Sequence, residues 1–368
     1  MTSSNLISER LHRLQARMAE AGVDLVAIAP TANMRYLLGF MSFVDERPCA
    51  LLVTRDATRL VVPELNADQM EARTHMATLR WSDADGPRRA FAQALGELSL
   101  RPGSVLVADN SMRADALLLL QDLVRPGESL PAGEIMARLR MRKSEGELEA
   151  LARAAAQADQ VLLAAADACR PGVSEREVAE RTAASFRSQG AEAVDFTIVG
   201  SGPNGAFPHH QFSDRRLEPG DMIVIDIGAT LDGYHSDVTR MVHLGEPTAD
   251  ERAVFGIVLE ALTRGREAAV PGARARDVDR AARQVIEKAG YGPSFVHRTG
   301  HGIGLEGHEP PWITGESEVA LEPGMVFSVE PGIYLQGQFG VRLEDIVVIT
   351  DGSCRSLTGL DHAMIVKD

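Results

Sequence analysis

Cysteine is scarce in this chain, and the few cysteines present are far apart. There are three among 368 residues, Cys49, Cys169 and Cys354, and no two of them form a C-x-x-C pair. An odd number of cysteines at such spacings predicts neither a disulfide framework nor a thiolate metal site.

Positive charge is in deficit, and long apolar runs are missing. The formal net charge is −14, which argues against a basic nucleic-acid-binding surface and makes anionic membranes an unfavourable partner. No run approaches the roughly 18 apolar residues that a membrane helix needs. The N-terminal segment also lacks the apolar centre of a secretory signal. We therefore expect a soluble cytoplasmic protein without nucleic-acid or membrane partners.

What the chain does have is enough apolar material for two domains. Its residues are 45% hydrophobic and 24% charged, and a single core rarely grows beyond about 250–300 residues. Up to residue 135, strand-like runs such as "DLVAIAP" alternate with helical stretches, which predicts an α/β domain. Over residues 136–368, helices lead into strand-like runs such as "MIVIDIGA", which predicts an α+β domain. Two helix-then-strand blocks there follow the same order, but their letters show no obvious self-similarity.

A glycine motif lies late in the chain, in "GHGIGLEGHEPP". Gly302, Gly304 and Gly307 fit G-x-G-x-x-G, a dinucleotide fingerprint that must leave a strand and open a helix. Pro310 and Pro311 follow too closely for an ordinary helix to begin there. We therefore reject a nucleotide site and expect the glycines to let the backbone approach a crowded centre.

Two aspartates flank the turn "LDG" in "MIVIDIGATLDGYHSDVTRMV". Asp226 lies in the first predicted strand and Asp237 in the second, and the midpoint of their numbers falls inside the turn. A symmetric hairpin would place them directly opposite each other, with Cβ atoms about 4.5–5.5 Å apart. Two opposed carboxylates in apolar strands destabilise a hairpin unless a cation lies between them.

A second pair of carboxylates repeats this pattern. Glu330 and Glu344 have their midpoint at Gly337, in a glycine-rich turn between two apolar strands. Three histidines lie between the two predicted hairpins: His297, His301 and His308. Four carboxylates and an imidazole suit a pair of divalent ions, because oxygen ligands favour manganese or magnesium and imidazole shifts the preference toward manganese, cobalt, iron or zinc. Two such ions about 3.5–4 Å apart can hold an attacking hydroxide.

Several segments together resemble the signature blocks of the pita-bread metallopeptidases. They are "IDIGATLDGYHSDVTR", "HRTGHGIGLEGHE", "EPGMVFSVEPGIY" and "GVRLEDIVVI". The family includes Xaa-Pro dipeptidases (prolidases), aminopeptidase P, methionine aminopeptidases and metal-free creatinases. "IVGSGPNGAFPHH" is similar to the proline-specific branch, and "TANMRYLLGF" resembles the creatinase-like N-terminal domain. The resemblance implies an α/β creatinase-like domain over residues 1–135 and an α+β pita-bread catalytic domain with a curved antiparallel sheet over residues 136–368.

The resemblance also implies a role for each motif residue. The metal ligands would be Asp226, Asp237, His301, Glu330 and Glu344. They would hold two divalent ions, with manganese expected first and cobalt or zinc as alternatives. The catalytic residues would be His209 near the scissile bond, His308 at the tetrahedral intermediate and Glu330 as proton shuttle. The substrate-binding residues would be His297, Tyr334 and Arg342.

The implied activity is metal-dependent hydrolysis of the Xaa-Pro bond in dipeptides, by a homodimer acting on short proline-containing peptides. Aminopeptidase P is the alternative, because Trp312 stands where many prolidases resemble "HExPR" and have an arginine. A dipeptidase needs a cation for the free carboxylate, and Arg298 or Arg342 would have to replace that arginine. A creatinase-like hydrolase or a metal-free binding module is a further alternative, although either would be expected to have lost acidic ligands.

Overall fold

The first part of the chain builds one mixed β-sheet with helices packed against it. The computed structural model describes residues 3–368, and the chain divides after Arg140 into two units. The elements of the first unit are α1 (Ser3–Ala21), β1 (Leu25–Ile28), α2 (Ala32–Leu38), β2 (Ala50–Val53), β3 (Thr58–Pro63), α3 (Glu64–Thr74), β4 (Thr78–Trp81), α4 (Arg88–Glu97), β5 (Val105–Ala108), α5 (Ala114–Val124), β6 (Glu128–Pro131) and α6 (Gly133–Arg140).

The strand order of this sheet is β4-β3-β2-β1-β5-β6. The central strand β1 pairs in parallel with β5 and antiparallel with β2. Strands β1 and β2 consist of apolar residues that are all buried, as expected for strands covered on both faces. The short helix α2 begins after Thr31, whose side chain accepts a hydrogen bond from the Asn33 amide, and ends at Gly39 in the left-handed region.

The second unit is longer and is dominated by antiparallel pairing. Its elements are α7 (Glu145–Ala168), α8 (Glu175–Ser188), β7 (Ala193–Ser201), β8 (Met222–Leu231), β9 (Tyr234–His235), β10 (Val238–Leu244), α9 (Ala249–Ala268), α10 (Ala275–Lys288), β11 (Gly300–Gly302), β12 (Glu309–Ile313), β13 (Val326–Val329), β14 (Gly332–Leu335), β15 (Phe339–Arg342), β16 (Asp345–Ile349), β17 (Cys354–Ser356) and β18 (Ile365–Lys367), with 3₁₀ turns at Gly202–Ala206 and Gly292–Ser294.

Three sheets form in this unit. One has the order β18-β10-β8-β7 with β9 paired to β8, another has the order β12-β11-β13-β16-β17, and β14 pairs with β15. All neighbours are antiparallel except β10 and β18. The expected α/β unit followed by an α+β unit is thus confirmed. The predicted boundary after residue 135 falls inside helix α6, and the exact domain boundary stays a prediction. None of the helices in the described part of the chain combines the length and apolar character of a membrane span.

The second unit consists of two halves that are built alike. Each half has two helices followed by antiparallel strands: α7 and α8 before β7 and β8, and α9 and α10 before β11 to β13. Between the two helices of each half lies a glycine in the left-handed region, Gly172 with φ 88° and Gly272 with φ 85°. The Gly172 amide donates to the Leu217 carbonyl and the Gly272 amide to the Leu321 carbonyl, both at 2.8 Å. The shared order of the two blocks therefore reflects a repeated structure, although the letters do not show it.

Candidate metal centre and active site

The hairpin of β8 and β10 carries the two aspartates, but in a different register from the predicted one. Asp226 pairs with Thr239, not with Asp237. The turn is centred between Asp232 and Gly233, both in the left-handed region with φ 51° and 78°, as in two-residue hairpin turns. The prediction of direct opposition is therefore wrong by two residues. Because side chains alternate along a strand, a shift of two keeps both carboxylates on one face of the hairpin.

The second hairpin has the predicted register. Strands β14 and β15 pair around Gly337, and β13 pairs with β16 farther from the turn in the same register. Glu330 and Glu344 lie between these two stretches of the ladder, on opposite sides of the hairpin. Their predicted opposition across the glycine turn is confirmed.

The structure brings all five predicted ligands into one cluster at the centre of the second unit. Within each of three groups the candidate ligand atoms lie within 4.8 Å of one another: Asp226 with Asp237 and Glu344, His301 with Glu330 and Glu344, and Asp237 with His301 and His308. The His301 Nε2 atom is 3.2 Å from Glu330 Oε1 and 3.7 Å from Asp237 Oδ2. All five are buried except Glu330, which is partly buried. Asp237, His301 and Glu344 each belong to two of the three groups. The three groups are therefore adjacent.

The charges of this cluster are unbalanced without a cation. Burial and the neighbouring carboxylates raise the pKa of Asp237 and of Glu344 well above the ordinary range. Burial also raises the pKa of Glu330, but the hydrogen bond and charge of His301 outweigh it and lower that pKa to about 2. Asp226 Oδ1 and Glu344 Oε1 are buried without a hydrogen-bond partner among the described residues. Because such oxygens are costly to bury unpaired, the donor set fits divalent cations.

Two hydroxyl groups that the sequence reasoning missed hold the ligands in place. Thr239 Oγ1 donates to Glu344 Oε2 at 2.8 Å. Ser328 Oγ donates to Glu330 Oε1 at 3.0 Å and accepts from the His301 amide at 3.0 Å. Thr239 lies two residues after Asp237, and Ser328 lies two residues before Glu330. The period of two along a strand would have placed both hydroxyls on the ligand-bearing face.

The three predicted substrate-binding residues form one chain of hydrogen bonds that ends at a predicted ligand. Arg342 Nη2 donates to Asp226 Oδ2 at 2.5 Å, and Arg342 Nη1 donates to Tyr334 Oη at 2.7 Å. Tyr334 Oη is 2.8 Å from His297 Nε2. His297 Nδ1 faces the Arg298 carbonyl at 2.7 Å, so Nδ1 carries the proton and Nε2 accepts from the tyrosine. Burial raises the pKa of Tyr334 to about 12, which keeps this hydroxyl protonated.

The two predicted catalytic histidines are both exposed, and His308 contacts a predicted ligand. The His308 ring lies 4.0 Å from the His301 ring, measured between centroids. Burial, followed by the charges of His301 and Arg298, lowers the pKa of His308 to about 4. His209 lies in an exposed turn and makes no hydrogen bond with any described residue. Its charge nevertheless contributes to lowering the pKa of His297 and of His308, so it lies near these two residues.

The turn that carries His209 is fixed by a buried carboxylate that the sequence did not reveal as special. Glu175, the first residue of α8, is fully buried. Its Oε2 is 2.8 Å from His210 Nε2 and accepts from the Ser213 amide at 2.8 Å. Its Oε1 accepts from the Ser201 amide at 2.8 Å. His210, the neighbour of His209, is thereby tied to the helix.

The glycine motif serves close packing, as expected. A Cβ atom at Gly300 would lie 1.9 Å from the Ser328 carbonyl oxygen, and one at Gly302 would lie 2.3 Å from the Pro310 carbonyl oxygen. A Cβ atom at Gly304 would lie 2.7 Å from a carboxylate oxygen of Glu309. The segment after the motif is strand β12 and not a helix. The rejection of a dinucleotide fingerprint is confirmed.

An oxygen-rich cluster of candidate ligands is the kind of site at which metal ions assist hydrolysis. The sequence pattern described as Metallopeptidase family M24 matches residues 149–351. The pattern of the Creatinase/Prolidase N-terminal domain matches residues 10–142. The chain belongs to metallopeptidase family M24 and is a metal-dependent peptidase.

Similar proteins span the whole chain. The probable dipeptidase PepE of Mycobacterium tuberculosis is 39% identical over 369 residues, which cover 99% of this chain and 97% of the relative. The Xaa-Pro dipeptidase of Pyrococcus furiosus is 34% identical, over 98% of this chain and 100% of its own length. The crystal structure of a prolidase from Thermococcus sibiricus matches with a TM-score of 0.92 at 37% identity, over 98% of this chain and 99% of that one. The family resemblance of the motifs is confirmed.

Proposed function

We propose that this chain is a Xaa-Pro dipeptidase that uses two divalent ions. The observation that carries the proposal is the cluster of four carboxylates and one imidazole, in which Asp226 and Glu344 each keep a buried oxygen without a donor. The relatives named Xaa-Pro dipeptidase and prolidase support the substrate class. Short proline-containing peptides are the substrates that follow from this assignment.

The ions would be held by the five clustered residues, Asp226, Asp237, His301, Glu330 and Glu344. When bound, divalent ions supply Lewis acidity to the scissile carbonyl and lower the pKa of water toward neutrality. Four carboxylates with one imidazole favour manganese, with cobalt or zinc as alternatives. We therefore propose manganese as the native metal.

Glu330 is the proposed proton shuttle. Because its pKa is about 2, the carboxylate is ionised at neutral pH, which is the state that can accept a proton from the attacking water. The proline nitrogen leaves as an amine only once it has received a proton, and Glu330 returns the proton there. Ser328 Oγ and His301 Nε2 both contact the Oε1 atom of this carboxylate, at 3.0 and 3.2 Å.

The histidines would stabilise the charge that develops on the carbonyl oxygen. His308, with a pKa of about 4, is neutral at pH 7 and can donate one N–H hydrogen bond to this oxygen. We propose that His209 contacts the substrate near the scissile bond from its exposed turn. His297 is partly buried, whereas Tyr334 and Arg342 are only 4% and 3% exposed. His297 would therefore face the substrate, while Tyr334 and Arg342 would hold His297 in position.

Other readings of the site make different predictions. A creatinase-like hydrolase or a metal-free binding module is disfavoured by the presence of all five ligand residues in one cluster. Aminopeptidase P shares the metal chemistry and differs in the length of peptide it accepts. The homodimer and the cytoplasmic location stay predictions from the sequence.

The first experiment measures metal content and product release. We expect two divalent ions per chain, and in added manganese we expect free proline from Ala-Pro with little cleavage of a longer peptide that begins Ala-Pro. Asp226→Asn should lose bound metal and turnover. Asp232→Asn is the matched control, because Asp232 lies in the exposed turn of the same hairpin and asparagine tolerates its left-handed backbone.

Each contrary outcome has a clear meaning. Preferred cleavage of the longer peptide would identify an aminopeptidase P. Absence of both metal and hydrolysis would favour a binding module. Native metal content and turnover in Asp226→Asn would refute the assignment of the cluster.

A further inference from the structure

A dipeptide substrate brings a carboxylate close to the metal centre, and a buried carboxylate needs a cationic partner. Among the described residues, four cations that contact the segments around the site are engaged by acidic partners: Arg342 by Asp226, Lys143 by Glu309, Arg240 by Asp345 and Arg283 by Asp279. These pairs lie 2.5 to 2.9 Å apart. None of these four cations is left for the substrate.

Arg298 is different. Its guanidinium makes no hydrogen bond or ion pair with any described residue, although the side chain is partly buried and burial lowers its pKa. The charge of Glu330 partly offsets this lowering, and the charge of Arg298 contributes to lowering the pKa of His308, so the guanidinium lies near both residues. A partly desolvated arginine that has no ion-pair partner among the described residues and lies near the candidate site is placed to receive an anion.

Trp312 supports this guanidinium. The Arg298 Cζ atom lies over the Trp312 ring, 4.5 Å from its centroid. Trp312 is on β12, where it pairs with the predicted ligand His301 on β11. A cation over an indole face is attracted to the ring without consuming any of its N–H donors. The arginine fork therefore stays free to bind two carboxylate oxygens.

We propose that Arg298, held over the ring of Trp312, binds the C-terminal carboxylate of the dipeptide substrate. The inference rests on the proposed dipeptidase function. It assigns to Trp312 the role of orienting the arginine, and it explains how the chain recognises a free carboxylate without a cation at position 312.

The test compares Ala-Pro with its C-terminal amide, which lacks the carboxylate charge. In the wild-type protein we expect Ala-Pro to be preferred. Arg298→Met should lower kcat/KM for Ala-Pro by roughly 10- to 100-fold, mainly through KM, because a charge-assisted contact is lost. The amide should change by less than about threefold. Arg355→Met, at an exposed arginine of the same unit, makes the same charge change and should leave both substrates unaffected.

Two further variants keep the test decisive. Trp312→Leu retains the guanidinium but removes its platform, and we expect roughly a three- to tenfold rise in KM for Ala-Pro alone. Arg298→Lys restores the charge without the planar fork and should recover part of the preference. If Arg298→Met does not fold, Trp312→Leu carries the test. Metal content is measured in every variant, and it should equal that of the wild type.

The outcomes separate this inference from the proposed function. If the wild-type protein prefers Ala-Pro and Arg298→Met keeps that preference, the assignment of Arg298 is overturned while the dipeptidase stands. An equal loss on both substrates, or a loss of metal, would also overturn it, since Arg298 would then act on the site as a whole. If the wild-type protein does not distinguish Ala-Pro from its amide, the dipeptidase assignment is refuted, and the proposed role of Arg298 is refuted with it.

Discussion

The buried carboxylate of Glu175 offers the sharpest test of how the site is held together. Both of its oxygens accept a backbone N–H at 2.8 Å, one from Ser201 and the other from Ser213. Glu175→Gln replaces one oxygen by an NH₂ group, and in either orientation this donor meets a backbone donor that cannot rotate away. The change therefore loses a charge-assisted bond and leaves a buried N–H unpaired.

The expected loss of stability follows from these two effects. A hydrogen bond to a charged group contributes about 1.5–3 kcal/mol, and an unpaired buried donor costs about 1–3 kcal/mol. We expect Glu175→Gln to lower the free energy of unfolding by about 3–5 kcal/mol, measured by urea denaturation. Glu180→Gln is the matched control, since Glu180 is an exposed residue of the same helix and should shift stability by less than about 0.5 kcal/mol.

The same substitution should reach the active site through the turn that Glu175 fixes. Below the melting temperature, we expect Glu175→Gln to lower kcat/KM while metal content stays unchanged, because His210 loses its anchor and His209 loses its position. If Glu175→Gln and Glu180→Gln agreed within about 1 kcal/mol, the backbone donors would have found other partners, and the reasoning would be refuted.

Three other measurements follow from the structure. Burial raises the pKa of Glu175, but its hydrogen bonds outweigh this and lower the pKa from 4.5 to about 2. About 2–3 kcal/mol of stability that is present above pH 4.5 should therefore be lost as the pH falls toward 2. Glu175→Gln should abolish this component of an acid titration. Glu344→Gln should stabilise the chelator-treated protein by about 1–2 kcal/mol, because it removes a carboxyl group whose ionisation is disfavoured by burial and by the neighbouring carboxylates, while lowering metal content; a destabilised metal-free variant would contradict the charge argument. Gly302→Ala should disrupt the site, because its Cβ would lie 2.3 Å from the Pro310 carbonyl oxygen, whereas Gly307→Ala, with its nearest atom at 3.7 Å, should bind metal normally.

The pairing of the carboxylates within each hairpin could be predicted because the relevant signals are local, whereas His301 was assigned from the resemblance to the family. The glycine turn at Gly337 fixes the register of the second hairpin, and counting from it places Glu330 opposite Glu344. In the first hairpin the centre of the turn was misjudged, since Asp232 and Gly233 both adopt the left-handed conformation. The error was an even number of residues, so the predicted face survived although the predicted partner did not.

The parts that escaped prediction depend on contacts between distant segments. Glu175 reads as an ordinary acidic residue in the first turn of a helix, and only the folded chain brings it to Ser201 and His210, 26 and 35 residues later. Whether Arg298 or Arg342 is available to a substrate could not be decided from spacing. The structure distinguishes them because Arg342 is ion-paired with Asp226, whereas Arg298 contacts an aromatic face.

The doubled architecture of the second unit has a consequence for how metal and folding depend on each other. Asp226 and Asp237 belong to its first half, and His301, Glu330 and Glu344 belong to its second, so neither half contains the full set. Bound ions would join positions as far apart as residues 226 and 344, which are 118 residues distant in the chain. Since such ions would bind the folded chain and not the separated halves, their affinity adds to the free energy that keeps the halves together. The supply of divalent metal would then set the lifetime of the protein as well as its rate of turnover.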